Sequence, residues 1–308
     1  MITLEYVYVL TGLMTAGFAV LSLRDGRFGN AAFWGLFSAS FLLGSWIGDF
    51  ANGAIAIALA AAGGFGLMRK AADAPAPQER AANAARRGNL LFLPALLVPA
   101  VALTGTLTLK TSGLIDPKQA TLVCLGFGAV AALAVCYAWL RPSPLAPLKE
   151  GRRLADTIGW AIVLPQMLAS LGLVFALGGV GKAVGVLATD YLPLGTPLAA
   201  VCAYCLGMAL FTAVMGNAFA AFPVMTAAIG LPLIVHRFGG DPMIMSAIGM
   251  LAGFCGTLLT PMAANFNLVP AALLELPDRS AVIKAQAPTA LLLLAANTAL
   301  MAGLVYRF

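Results

Sequence analysis

The sequence predicts an all-α polytopic membrane protein with about nine to eleven hydrophobic helical segments. Of its 308 residues, 61% are hydrophobic and only 10% are charged, and a soluble core cannot absorb that much apolar surface. Apolar runs recur along the whole chain, and most can form a helix that crosses about 30 Å of hydrocarbon. These runs lack the alternation of a membrane β-barrel, so we expect helices to satisfy the backbone hydrogen bonds in lipid.

The apolar runs predict the helical segments in chain order. The first run, residues 4–23, has Glu5 near its start and no basic residue before it. It therefore lacks the charged start of a cleaved signal peptide, and we interpret it as a permanent helix. The later runs cover residues 31–47, 51–68, 90–109, 120–140, 158–180, 198–214, 218–235, 243–259 and 288–305.

One long polar stretch divides the chain. Residues 69–87 read RKAADAPAPQERAANAARR, and this mixture of alanine, proline and charge is typical of a flexible linker. We expect a three-helix membrane unit over residues 1–68, a cytoplasmic linker over 69–89, and a transport-type membrane bundle over 90–308. No loop is long enough to form a separate soluble domain.

The basic residues predict the orientation, because cytoplasmic loops of membrane proteins are enriched in lysine and arginine. Assigning the loops alternately to the two sides leaves only Lys110, Lys118 and Lys182 on one side. The other side carries Arg24, Arg27, Arg69, Lys70, Arg80, Arg86, Arg87, Arg141, Lys149, Arg152 and Arg153. We expect a multi-pass protein of the bacterial inner membrane with a periplasmic N-terminus. The net charge of +6 then reflects topology and indicates no nucleic-acid binding.

Two segments, near residues 215–235 and 256–276, have the pattern of broken or re-entrant helices. The first begins MGNAFAAFPVMTAAIGLP and the second GTLLTPMAANFNLVP. Each combines glycine or threonine with asparagine, small residues and proline. We expect the helix breaks at Pro223, Pro261 and Pro270, because proline removes a backbone donor. A membrane protein tolerates such breaks only where the freed backbone groups are buried in protein or line a wet cavity.

These two segments contain the candidate substrate-binding residues. Helix N-termini attract anions, while threonine and asparagine side chains supply neutral donors and acceptors around a small solute. The same residue types also serve as ordinary interhelical contacts and kinks, and this alternative stays open. The candidates are Gly216, Asn217, Thr226, Gly256, Thr257, Thr260, Asn265 and Asn267.

The sequence contains no pattern that predicts a catalytic or metal site, and we expect no cofactor. All five cysteines lie in apolar runs, and we interpret the C-A-Y-C of Cys202–Cys205 as helix packing. The chain has a single histidine, so neither an HExxH motif nor a histidine pair for a metal is present. No pair of acidic residues lies within the apolar runs, which disfavours an integral membrane enzyme.

Five passages carry a resemblance to a known family. They are GNAAFWGLFSASFLLGSWIGDFANG (29–53), DPKQATL (116–122), LAPLKEGRRLADTIGWAIVLPQML (145–168), AYCLGMALFTAVMGNAFAAFPVMTAAIGLP (203–232) and GMLAGFCGTLLTPMAANFNLVPAALLELPDR (249–279). Through them the chain resembles, over essentially its whole length, a bacterial membrane-protein family catalogued as domain of unknown function 979. Its members are described as the larger membrane subunit of a two-subunit 5-oxoproline (pyroglutamate) transporter. The pattern of broken helices also resembles the large ion-transporter superfamily.

The resemblance implies a secondary transporter that takes up 5-oxoproline or a similar small organic anion. It also implies a partner, a second and smaller membrane subunit encoded nearby, and a coupling ion, Na⁺ or H⁺, fits such a site. Helix N-termini near Gly216 and Gly256 would then hold the carboxylate, and asparagine amides would pair with the lactam. Three alternatives remain: a non-transporting scaffold or regulatory subunit, the permease subunit of a separate ATPase, and a membrane enzyme.

Overall fold

The computed structural model describes residues 2–69, 77–110, 112–274 and 276–307. Throughout these ranges the regular structure is helical, and the parallel contact between Ile2 and Ile115 is an isolated bridge. The predicted all-helical fold is therefore confirmed. The chain divides into two compact units, Met1–Gly159 and Trp160–Phe308.

The described part of the first unit contains seven α-helices. The first three are joined by short turns, and a 3₁₀ turn at Gly88–Phe92 leads into α5. The helices are α1 (Glu5–Arg24), α2 (Phe28–Leu43), α3 (Gly48–Gly64), α4 (Pro77–Arg87), α5 (Leu93–Leu109), α6 (Ala120–Leu140) and α7 (Ala146–Ile158).

The described part of the second unit also contains seven α-helices. One of them, α11, continues directly as a π-helix over Thr226–Arg237, so that the two form one helical element. The helices are α8 (Leu164–Leu177), α9 (Val180–Tyr191), α10 (Pro197–Met215), α11 (Ala218–Met225), α12 (Pro242–Thr257), α13 (Ala264–Leu273) and α14 (Ala281–Leu304).

The helices support the prediction of a membrane protein. Within the described residues, six segments are long and apolar enough to span a bilayer: Glu5–Arg24, Ala84–Leu109, Ala120–Leu140, Pro197–Met215, Ala218–Arg237 and Ala281–Leu304. Helices α8 and α9 meet at a bend of 69° and count as a seventh if they form one broken span, while α2 and α12 are shorter apolar helices. These spans are counted by length and composition, so the predicted count of nine to eleven hydrophobic helical segments stays a prediction.

The boundary between the units differs from the predicted one. The structure divides at 159–160 and not after the linker, so residues 90–159 belong with the N-terminal helices. Helix α5 packs against α6, and α7 packs against α1, where Leu148 fills the space left by Gly17. Apolar runs do not reveal which helices pack together, and therefore the sequence did not place this boundary.

Part of the predicted linker is helical. Residues 70–76 lie outside the described residues. The following eleven residues form helix α4, which is polar and carries Arg86 and Arg87 in its last turn. Alanine, glutamine, glutamate and arginine are all good helix formers, so this composition favours a polar helix more than the linker that its proline and charge suggested.

An aromatic cluster joins α1 and α2 in the first unit. Trp34 is fully buried, with the rings of Phe18 and Phe33 packed edge-on against it at centroid distances of 5.6 and 5.1 Å. The hydroxyl of Ser38 donates to the carbonyl of Gly12 at 2.7 Å. These contacts join the two helices through both apolar packing and a hydrogen bond that crosses between them.

A buried carboxylate ties α7 to the first helices of the same unit. The Asp156 side chain has no exposed surface and accepts from Arg27 Nη1 at 2.6 Å. Its other oxygen accepts from Asn30 Nδ2 at 2.9 Å and from the Trp34 indole at 2.8 Å. Asn30 also exchanges two hydrogen bonds with the backbone of Arg69, just after α3. Three donors and one positive charge thus compensate the buried charge of Asp156.

The core of the second unit is built around Tyr204 on α10. Its ring is fully buried. A Cβ atom at Gly230 or Gly249 would collide with this ring. These two glycines belong to the π-helix and to α12, so small residues let three helices close around one large ring.

Candidate functional site

The first predicted break is a tight connection between two spanning helices. Gly216 ends α10 in the left-handed conformation with φ of 75°, which glycine adopts without steric strain. Asn217 then starts α11 with an extended backbone, and its Oδ1 accepts from the Phe219 N–H at 2.9 Å. The Gly-Asn pair therefore ends one helix and caps the next.

The second predicted break lies between α12 and α13. Residues 258–263 are not helical, and Pro261 lies among them. The Thr257 hydroxyl donates to the Phe254 carbonyl at 2.6 Å, and the Thr260 hydroxyl accepts from the Met262 N–H at 3.2 Å. The threonines therefore satisfy backbone groups near the end of α12.

The two interruptions contact each other. A Cβ on Gly216 would lie 2.6 Å from the Met262 carbonyl oxygen, so a larger residue there would push the two turns apart. Beside this contact, the rings of Phe219 and Phe254 pack edge-on at 5.8 Å. Two segments that are about 40 residues apart in the sequence thus form one polar region within the apolar second unit.

Two side-chain amides hold the second interruption together. Asn267 is fully buried, and its Nδ2 donates to the carbonyls of Thr257 at 2.8 Å and Thr260 at 2.5 Å. Its Oδ1 accepts from Nε2 of Gln286 on α14, which also donates to the Leu258 carbonyl at 3.2 Å. Carbonyls left free at the end of α12 are therefore bonded within the protein, as a low-dielectric environment requires.

The structure brings several candidate residues together and separates others. Gly216, Asn217, Thr257, Thr260 and Asn267 lie at the two interruptions described above. Gly256 lies one residue before the end of α12, where a Cβ would overlap the Ala209 carbonyl of α10. Whether these residues bind a solute stays a prediction.

The other candidates lie elsewhere or face outward. Thr226 is about 13 Å along its helix from Asn217, at 1.5 Å per residue. It shares a 3.1 Å hydrogen bond with Tyr204. Asn265 follows the interruption and is exposed.

The prolines correct the predicted positions of the helix breaks. Pro261 lies in an interruption as expected. Pro223 lies inside α11 and Pro270 inside α13, and neither ends its helix. After Pro223 the helix instead widens into the π-helix that begins at Thr226. Neighbouring helices supply the packing that keeps these proline-containing segments helical.

Sequence reasoning missed Gln286, which completes the hydrogen bonds of the second interruption. It is half-buried near the start of α14, two residues before Pro288. The available signal was an uncharged amide directly before the apolar run 288–305, because polar side chains in such positions usually bond within the bundle. Across the described residues, no group of three or more His, Cys, Asp or Glu side chains could hold a metal ion.

Comparison with known proteins identifies the family. The model of the family described as "Protein of unknown function (DUF979)" matches residues 5–306. The chain belongs to the DUF979 family. No curated protein and no solved structure matches it.

The match confirms the family resemblance read from the sequence. It extends across both units of this DUF979 protein and includes both interruptions and all candidate residues. The interruptions therefore lie within the part of the chain that the family model matches.

Proposed function

We propose that this DUF979 protein is the larger membrane subunit of a secondary transporter that takes up a small organic anion. The proposed solute is 5-oxoproline, and the proposed partner is a second, smaller membrane subunit. One observation carries the proposal: two polar helix interruptions contact each other at Gly216 and Met262 within an apolar helical unit. Secondary transporters build their solute and ion sites from discontinuous helices. The second interruption divides an apolar segment into α12 and α13, and the first is the turn that joins two spanning helices.

Charge is the main requirement for an anionic solute, because an unpaired carboxylate within a bilayer is costly. The two interruptions, residues 216–217 and 258–263, contain no lysine or arginine. The start of α11, where Ala218 follows the Asn217 cap, offers partial positive charge from backbone N–H groups. We propose that this helix end, a coupling cation or the partner subunit compensates the carboxylate.

A second candidate function is a non-transporting scaffold for a pore formed by the partner. One observation favours it: both ends of the Asn267 amide are bonded within the protein. A helix interruption whose polar groups are hydrogen-bonded within the protein can serve helix packing alone.

Uptake of radiolabelled 5-oxoproline distinguishes these functions. Cells without their own uptake route would express this chain, the small subunit, or both, with membrane insertion of each protein verified. Accumulation only with both proteins is expected for the two-subunit transporter. Full accumulation with the small subunit alone would favour the scaffold, and no accumulation in any cell would overturn 5-oxoproline as the solute.

Two asparagine variants refine the same assay. Asn265 is exposed beside the second interruption and Asn217 is half-buried in the first. We expect Asn217→Ala and Asn265→Ala to lower uptake severalfold while both proteins still reach the membrane. Normal uptake by both variants would argue against solute contact at the interruptions.

A further inference from the structure

Helix α7 packs along the C-terminal part of α1, and its contacts determine its depth in the membrane. Helix α1 has 20 residues, which is about 30 Å and matches the hydrocarbon core of a bilayer. Leu148 of α7 fills the space beside Gly17, about 10 Å before the end of α1. Arg152 pairs with Asp25, the residue that follows α1. Helix α7 therefore begins beside the acyl chains, and its Arg152 guanidinium lies at the level of the headgroups.

The outer surface of α7 has the composition of an interfacial helix. Leu145, directly before α7, is 50% exposed and Leu154 is 37% exposed, while Lys149 is exposed between them. Helices that lie in the membrane interface combine exposed leucine with lysine or arginine in this way. A lysine there keeps its aliphatic stem in the apolar layer and extends its charge to the headgroups. This surface can thus contact acyl chains and headgroups together.

Two hydrogen-bond donors without a partner lie between α1 and α7. The Arg152 side chain is 12% exposed, and its Nη1 atom is buried with no hydrogen-bond partner among the described residues. The hydroxyl of the fully buried Ser22 also has no partner in these ranges. Ser22 lies one turn after Phe18 on the same face of α1, and the Phe18 ring lies against Gly151 of α7. Because buried donors are normally satisfied, this pair indicates an acceptor that the chain itself does not supply.

The charge around these two donors favours an anion as the acceptor. Asp25 is paired with Arg152 at 2.6 Å, and Glu150 is paired with Arg153 at 2.6 Å. Lys149 lies one turn before Arg152 on α7, and it makes no ion pair within the part of the chain that the structure describes. The neighbouring carboxylates are thus already neutralised, and the charge of Lys149 is left for a ligand.

We propose that the boundary between α1 and α7 binds the phosphate of an anionic phospholipid. One phosphate oxygen accepts from Nη1 of Arg152 and from the Ser22 hydroxyl, which requires a small outward shift of α7. Lys149 pairs with the phosphate from the outside, and the acyl chains lie along Leu145 and Leu154. Hydrogen bonds to an ionised acceptor are stronger than neutral ones. The depth of α7 and its exposed leucines favour a lipid over a phosphate in solution. This site lies apart from the helix interruptions and does not depend on the proposed transport function.

The first experiment measures binding of three probes to the full chain, purified in a neutral detergent. Native mass spectrometry gives the apparent Kd for phosphatidylglycerol, for phosphatidylcholine with the same acyl chains, and for glycerol 3-phosphate. The two lipids differ in net charge, and glycerol 3-phosphate has no acyl chain. We expect phosphatidylglycerol to bind at least about fivefold more tightly than phosphatidylcholine, because one basic residue near anionic lipid contributes about 1 kcal/mol. Glycerol 3-phosphate should not displace phosphatidylglycerol at equal concentration.

The second experiment compares two variants that each lose a buried hydroxyl. Ser22→Ala removes the hydroxyl of the proposed site, whereas Thr212→Val removes a hydroxyl of α10 that is also buried and has no partner in the described ranges. Loss of one hydrogen bond to an ionised phosphate predicts about tenfold weaker binding of phosphatidylglycerol by Ser22→Ala. Thr212→Val should bind it like the unsubstituted protein. Because neither hydroxyl bonds to protein, we expect both variants to fold, and thermal unfolding checks this.

A third variant tests the charge at an exposed position, away from the contact between the helices. Lys149→Gln should bring the affinities for phosphatidylglycerol and phosphatidylcholine close to each other. An unchanged preference for phosphatidylglycerol in this variant, or equal effects of the two hydroxyl substitutions, would overturn the site between α1 and α7. Equal affinity of the unsubstituted protein for both lipids would overturn an anionic headgroup as the ligand. Displacement of phosphatidylglycerol by glycerol 3-phosphate would overturn the lipid and identify a free phosphate instead.

Discussion

At the residue scale, three polar side chains inside the apolar units are each bonded to several partners at once. Asn267 and Gln286 bond the carbonyls left free at the end of α12. Asp156 accepts three hydrogen bonds in the first unit. When a buried polar group loses its hydrogen-bond partner, the free energy of unfolding falls by more than the net contribution of one hydrogen bond. Substitution of these residues should therefore have large effects on stability.

Asn267→Ala should lower the free energy of unfolding by about 2–4 kcal/mol, because two backbone carbonyls lose their donor in a dry environment. Asn265→Ala is the matched control, since the Asn265 side chain is exposed and its loss should change stability by no more than about 0.5 kcal/mol. Thermal unfolding of the two purified proteins in the same detergent makes the comparison. Equal unfolding temperatures would show that the Asn267 hydrogen bonds do not stabilise the interruption.

Asp156→Asn should lower the free energy of unfolding by about 3–5 kcal/mol, because the substitution removes one charge of an ion pair whose carboxylate is fully buried. Asp278→Asn is a suitable control: Asp278 pairs with Lys284 at 2.8 Å, and their side chains are 48% and 72% exposed. Because water screens such an exposed pair, its loss should leave stability almost unchanged. Denaturation measured by tryptophan fluorescence is suited to this pair, since Trp34 donates to Asp156. A similar loss in both variants would contradict the role given to the buried carboxylate.

At the element scale, helices α10 and α12 approach closely because small residues face each other along them. Gly256 of α12 lies against the backbone of Ala209, and Gly253 lies against Met208 and Ala218. In a bilayer, such close backbone contact supplies much of the attraction between helices. This pair also holds the start of α11 next to the end of α12, and therefore determines how the two interruptions meet.

Gly256→Ala should destabilise the second unit by about 1–3 kcal/mol, because the new methyl group overlaps the Ala209 carbonyl. Gly303→Ala is the matched control within α14, where a Cβ meets no atom within 4 Å. It should be neutral or stabilising by up to about 1 kcal/mol, since alanine favours helix over glycine. Amide hydrogen exchange in α10 and α12 checks both variants. Unchanged exchange in Gly256→Ala would show that the helices separate without loss of stability.

At the scale of the whole molecule, the distribution of basic residues predicts how the helices cross the membrane. The polar helices α4 and α7 carry most of the predicted cytoplasmic charge, including Arg86, Arg87, Arg152 and Arg153. The connection between α5 and α6 carries only Lys110 and Lys118. The positive-inside rule therefore predicts that this connection lies in the periplasm.

Single introduced cysteines on either side of α6 test this orientation. Ser112→Cys precedes α6 and Ser143→Cys follows it, and both positions are exposed. A membrane-impermeant maleimide added to intact cells should label the Ser112→Cys variant, whereas the Ser143→Cys variant should react only after the membrane is permeabilised. The reverse pattern would place the N-terminus in the cytoplasm.

The sequence by itself determined the helical fold, the family and the two polar interruptions, and its apolar runs predicted a membrane protein. These properties depend on local composition: apolar runs exclude water, and a Gly-Asn or Thr-Pro pair ends a helix wherever it occurs. The tertiary structure alone decided that residues 90–159 join the N-terminal unit, that Pro223 and Pro270 remain within helices, and that Gln286 bonds Asn267. Each of these depends on contacts between residues distant in the chain, and neighbouring helices can satisfy backbone groups that a local pattern leaves unpaired.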